Sequence, residues 1–409
     1  MAELDPQSGS QDPVDPAQAQ GAQIPLPAFA IPEFPPEAQE LKALTLTSDI
    51  KIDEYPKQLE SFAPIPKLPQ GVQSLTLELF SLGYPAGFLS ALADALPQVR
   101  SFDAYSQLLC GITAEAQEDA VAFFDKLHEL RAIQLLDVFA RPKFFQTVGE
   151  KLTARTPDQR LMFLQFNYTF RHEDEDFLRR IPAEELPAFV NPSLVMCSFN
   201  VAAPDNTDDP EDPTNVNEEG EMQQKPEGVM AFHKSHANHL VYTLTDEKTA
   251  PTGLRALNTT LYTFTVDDLE TVLQKHTGLL MISVTLEIEP TEMCKNRLLE
   301  ALRHCPEMER VEIVGNPTLE FSMAVMNPRR KALDHTFPSA DDMRKLEESC
   351  PKLTNFSATI LRTTSSGHVE WSKEGGSWQG GITTPAVPDD GTADMPPALV
   401  ATLQQQTTV

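Results

Sequence analysis

The sequence predicts an α/β solenoid, a row of short helix–turn–strand units with a parallel sheet on one side and helices on the other. Three observations predict it. A short ladder of the form apolar-x-x-apolar-x-apolar recurs along the chain, its copies are spaced almost regularly, and most follow a one-sided helical pattern. A unit this small cannot bury its own apolar face, so the next unit in the row must cover it.

The ladder begins as Leu41/Leu44/Leu46, Val72/Leu75/Leu77 and Val99/Phe102/Ala104. It continues as Leu130/Ile133/Leu135, Leu161/Leu164/Phe166 and Leu194/Cys197/Phe199, and these six copies start 27 to 33 residues apart. A weaker copy, Leu254/Leu257, has Thr259 in the third place; Leu279/Ile282/Val284, Met308/Val311/Ile313 and Leu353/Phe356/Ala358 follow. The step from Leu194 to Leu254 is about two units long, and later steps of 25 to 45 residues imply insertions. Apolar residues three or four apart precede the ladders at Phe88/Leu89/Leu92/Leu96, Val121/Phe123/Phe124/Leu127, Leu269/Val272/Leu273, Leu298/Leu299/Leu302 and Met343/Leu346. Each unit thus passes from period 3.6 to period 2. An ordinary α/β domain is the competing reading. The near-constant spacing argues against it, as does the absence of a glycine-rich loop after any strand.

Segments of different composition flank this region. Residues 1–38 are rich in Pro, Gln, Ala and Asp; Ile24-Pro-Leu-Pro and Ile31-Pro-Glu-Phe-Pro-Pro exclude a helix, and the expectation is a disordered or polyproline-like tail. Residues 203–228 carry nine acidic side chains and one lysine, which predicts a mobile acidic insertion. Residues 371–409 are rich in Gly, Pro and Thr and are expected to be mostly unstructured, with Trp371 and Trp378 placed to cap the last unit as a small hairpin. The division is therefore a tail, a first repeat half at 39–202, the insertion, a second half at 229–370 and a second tail.

Among 409 residues the net charge is −28, which opposes binding to nucleic-acid backbones and anionic membranes and favours a basic or neutral protein partner; solubility alone is the plainer reading. Five dispersed cysteines (Cys110, Cys197, Cys294, Cys305, Cys350) with no CxxC pair suggest neither a disulfide framework nor a thiolate metal site. With no apolar run of about 20 residues and no leader pattern, a soluble protein of cytoplasm or nucleus is expected, and the sequons at Asn167, Asn258 and Asn355 read as chance matches.

The turn before two of the strands is more specific. It reads Leu302-Arg-His-Cys305-Pro306-Glu-Met308 and, one unit later, Leu346-Glu-Glu-Ser-Cys350-Pro351-Lys-Leu353, with Leu96-Pro97-Gln98-Val99 as a degenerate third copy. This turn resembles the leucine-rich repeats of F-box proteins and of their fungal relatives that lack the F-box. The resemblance implies a right-handed, irregular leucine-rich-repeat superhelix whose concave parallel sheet is a recognition surface, often for ubiquitin-ligase substrates. An F-box would begin Leu-Pro-x-Glu near the N-terminus. Here Pro32-Glu-Phe-Pro-Pro36 leads straight to Leu41, and no F-box is seen.

No catalytic motif, nucleotide loop or metal-ligand set stands out, and no enzyme activity, cofactor or metal is expected. His233, His236 and His239 are spaced by three, which does not bring them together on either a helix or a strand. The acidic run His172-Glu-Asp-Glu-Asp176 suits a helix start or a basic partner. Candidate partner-binding residues are those that alternate with the ladder positions on the concave sheet: Glu78, Asp103, Tyr105, Gln134, Gln165, Asn167, Asn200, Thr285 and Glu312. Tyr105 is the strongest of them by residue type. The leading expectation is a non-catalytic protein-recognition scaffold. The alternatives are a ubiquitin-ligase substrate receptor, which co-purification with the ligase core would reveal, and an enzyme on an irregular α/β fold, which would need a deep pocket with two convergent titratable groups.

Overall fold

The computed structural model describes residues 21–170, 176–202, 231–321, 332–361 and 363–383. Among these residues thirteen strands form one open sheet in strict chain order. They are β1 (Gly21–Leu26), β2 (Ala43–Ser48), β3 (Ser74–Glu78), β4 (Ser101–Tyr105), β5 (Ala132–Leu136), β6 (Phe163–Thr169), β7 (Met196–Ala202), β8 (Ala256–Phe264), β9 (Met281–Ile288), β10 (Arg310–Pro317), β11 (Asn355–Ile360), β12 (Thr363–Glu374) and β13 (Ser377–Thr383). Strands β1 to β11 are parallel to their neighbours; β12 and β13 fold back antiparallel. The arrangement is a solenoid-like α/β fold.

The ladders fall in register. Leu44, Leu75, Phe102, Ile133, Leu164 and Cys197 are successive cross-strand partners, and Cys197 continues through Leu257, Ile282 and Val311 to Phe356. All are buried, so this row is the spine of the core. Just before the strands, a backbone bond repeats from unit to unit: Gln73 donates to Lys42, Arg100 to Gln73, Arg131 to Arg100, Met162 to Arg131 and Val195 to Met162. The series runs on through Arg255, Leu280 and Glu309 to Thr354. Backbone groups that would otherwise end unpaired are thus satisfied by the neighbouring unit.

The helices with described bounds are α1 (Tyr55–Gln58), α2 (Phe88–Ala95), α3 (Ala114–Lys126), α4 (Phe144–Thr153), α5 (Ala237–Thr245), α6 (Val266–Lys275), α7 (Glu292–Leu302), α8 (Ala332–Thr336) and α9 (Ala340–Ser349). Neighbours pack in order, α2 on α3 on α4 and α5 on α6 on α7. Their starts are written in the sequence. Thr113, Thr265, Thr291 and Ser339 each accept a backbone N–H of the first turn, and Thr265–Asp268 and Ser339–Asp342 close reciprocal capping boxes. Where prolines crowd a connection, the helix shrinks. The β2–β3 link, with Pro56, Pro64, Pro66 and Pro69, keeps four helical residues, and the described residues of the β6–β7 link hold the short 3-10 turns Leu178–Arg180 and Leu186–Phe189.

Two boundaries differ from the sequence expectation. Residues 21–38, expected to be unstructured, contain β1 and the 3-10 turn Pro36–Glu40. The prolines do forbid a helix there, but Pro25 is tolerated because, among the described residues, β1 is the edge strand and pairs with β2 alone. Phe29 then enters an aromatic cluster with Tyr55, Phe80, Tyr84 and Phe88 and seals that end of the core. At the other end the small hairpin expected around Trp371 and Trp378 is present, and it carries the ordered chain past residue 370. The β12–β13 hairpin runs to Thr383, with Trp371 Nε1 donating to the Pro338 carbonyl at 3.0 Å and Trp378 Nε1 to Glu347 at 3.0 Å. Residues 1–20, the acidic insertion 203–228, the run from His172 to Glu175 and the tail after Thr383 lie outside the described residues.

Candidate binding surface

Strand alternation sends every second side chain to the face that the helices do not cover. One row on this open face reads Thr45, Thr76, Asp103, Gln134, Gln165 and Ser198, then Asn258, Ser283, Glu312 and Ser357. A second row, toward the strand ends, reads Thr47, Glu78, Tyr105, Leu136, Asn167 and Asn200. Eight of the nine candidates, all but Thr285, stand in these two rows.

Thr285 is a correction. It is 3% exposed, and its hydroxyl donates to the Thr260 carbonyl at 2.7 Å. The register of β8 slips between Thr259 and Thr263, so the extra residues Thr260 to Tyr262 bulge over this position. Val314, its neighbour on β10, is buried as well. The bulge also engages Asn200, whose Oδ1 accepts from the Thr260 hydroxyl at 2.7 Å, and Asn258 Oδ1 accepts from the same hydroxyl at 2.9 Å.

A third row went unread in the sequence because it lies one step before the ladder pair. From β5 to β9 it is Ala132, Phe163, Met196, Ala256 and Met281, all apolar and all adjacent. Phe163 is 44% exposed and Met281 42%, large values for side chains of this type. Ser101 precedes this strip on β4 and Arg310 follows it on β10. Residues of seven consecutive strands, from Gln165 on β6 to Glu370 and Trp371 on β12, line one groove of about 400 Å³ on this face. Strands so far apart share a hollow only if the sheet curves around it.

Electrostatically the open face is acidic at its flanks. Glu78 accepts from Thr47 at 3.0 Å, and Glu312 accepts from Ser283. Burial raises the Asp103 carboxyl above its ordinary value, with no compensating cation beside it. Three arginines just before the strands are engaged along the turns instead. Arg131 bonds the carbonyls of His128 and Leu130, Arg255 bonds that of Gly278, and Arg100 lies 3.8 Å from Glu129.

Two of the three spaced histidines meet one residue, Glu184, and the third turns to its own loop. His236 Nδ1 meets Glu184 at 2.9 Å, His239 donates to the Glu184 carbonyl at 3.2 Å, and His233 pairs with Ser235. Among the described residues no group of three His, Cys, Asp or Glu side chains is placed to hold a metal ion. The five cysteines are buried, and burial pushes Cys197 and Cys305 up to about 12 and Cys350 to about 11. No described helix is long and apolar enough to cross a membrane.

The chain matches no protein-family model, and a search of curated proteins finds no relative.

Proposed function

We propose that this protein is a leucine-rich-repeat solenoid that recognises another protein on the open face of its sheet and carries out no bond chemistry there. The observation that carries the reading is the composition of that face. A strip of apolar side chains, with Phe163 and Met281 exposed and Ala132, Met196 and Ala256 half-buried, lies beside a polar row and a groove that spans seven strands. An apolar centre with a polar rim is how protein interfaces are built. The leucine-rich-repeat assignment is supported by the in-register ladder and by the cysteine–proline turns. Cys305 Sγ donates to the His276 carbonyl at 3.4 Å and Cys350 Sγ to the Leu302 carbonyl at 3.4 Å, each tying a turn to the unit before it.

The test is site-specific photo-crosslinking in the native cell. A photoreactive residue at Gln165, in the groove, should trap a discrete protein partner. The same residue at Lys126, on the helical side, should not trap that partner. Equal capture from both positions, or capture only from the helical side, would remove the open face as the recognition surface.

A further inference from the structure

The shape and charge of the strip narrow the partner, given the recognition reading above. Ala132, Phe163, Met196, Ala256 and Met281 occupy one cross-strand row over five adjacent strands. Strands are about 4.8 Å apart, so the row is about 19 Å long. An α-helix repeats its face every 5.4 Å or so, close to that spacing, and about 13 residues cover the row at about 1.5 Å each. An extended peptide repeats a face every ~6.7 Å and drifts out of step with the row within two strands. One carboxylate lies near each end of the strip, Asp103 on β4 and Glu312 on β10, each one strand out and two residues along; Glu78 on β3 and Glu370 on β12 lie farther off. Arg310, the cross-strand partner of Met281, continues the row at that end on the same strand as Glu312. The half-buried Asp103 carboxylate gains most from a cation at its end of the strip.

We infer that the open face is a seat for an amphipathic helix of another protein, lying across strands β5 to β9, with an apolar stripe on Phe163, Met196 and Met281 and basic residues at its two ends. The helix axis runs perpendicular to the strands, one turn to each strand. Its basic termini reach the carboxylates at either end of the strip, and Gln134, Gln165 and Ser283 form the polar margin.

The experiment selects ligands for the full-length protein from a displayed library of random 16-residue peptides. Enriched sequences should carry apolar residues at i, i+3 or i+4 and i+7, with Lys or Arg toward both ends and no proline between. The double variant Phe163→Ser, Met281→Ser should weaken selected peptides at least about tenfold, and its circular dichroism and melting temperature check that it folds. Asp103→Asn should weaken them less and reduce their salt dependence. Enrichment of proline-rich or acidic sequences, binding indifferent to the double variant, or no enrichment at all overturns the inference. Should a partner still be trapped at Gln165 in any of those cases, the recognition reading survives and only the helix fails.

Discussion

Thr259 stands in the ladder place that every other repeat fills with an apolar side chain, paired across the sheet with Val284. It is fully buried, and its hydroxyl has no hydrogen-bond partner. A buried hydroxyl without a partner costs roughly 1 kcal/mol or more, and valine has nearly the same shape. Thr259→Val should therefore stabilise the fold by about 1 kcal/mol in urea unfolding; a loss would mean that the hydroxyl has a role in the β8 bulge. His276 is a second case. It occupies the turn place taken by Cys305 and Cys350, and its Nε2–H donates to the Leu244 carbonyl at 2.7 Å. Burial lowers its pKa below the ordinary value, so the unfolded chain binds the proton more readily than the folded one. Stability is then full above the ordinary histidine value of about 6.5 and falls as the pH drops below it toward the folded value. His276→Gln keeps a donor without the titration. Urea midpoints at pH 7.5 and 5.5 should differ more for the wild type than for this variant, and equal differences would acquit His276.

At the scale of the element, the connections show where local preference yields to packing. Gly149 lies inside α4, where propensity alone says that alanine would stabilise by about 1 kcal/mol. A Cβ there would stand 2.7 Å from the Ala188 carbonyl carbon, in the 3-10 turn that replaces a helix between β6 and β7. Backbone cannot retreat as a side-chain tip can, so Gly149→Ala should instead destabilise by about 1–3 kcal/mol, read as a lowered urea midpoint. The elements themselves were largely legible. Ladder triplets marked β2 to β11, and the helical patterns marked α2, α3, α6, α7 and α9. The edge strand β1 was not, because Ile24-Pro-Leu-Pro reads as tail until a neighbouring strand is there to pair with it. The strip from Ala132 to Met281 was also missed. Alternation does predict its direction, but only register across five strands reveals that the five residues adjoin.

On the scale of the whole molecule, each unit touches mainly its two neighbours, and the ends are closed differently. The N-terminal end is sealed by Phe29 and its aromatic partners, the C-terminal end by the hairpin that Trp371 and Trp378 anchor. Stability in such a row is close to a sum of units and interfaces. Phe29→Ala removes a fully buried ring and should cost about 3–5 kcal/mol near its end. Hydrogen exchange should accelerate in β1 to β3 while β9 to β11 stay near wild type. Uniform acceleration along the sheet would instead mark one cooperative block.

The sequence by itself determined the unit and its direction. Spaced apolar triplets, helix caps and cysteine–proline turns act over a few residues, and local chemistry suffices to write them. It also determined which eight candidate side chains point away from the helices. Tertiary structure decided the rest: that β1 joins the sheet, that the β8 bulge hides Thr285, and that five apolar residues 25 to 60 positions apart meet as one surface. Those outcomes depend on register between units, and register is set by the packing of neighbours that no single stretch of chain contains.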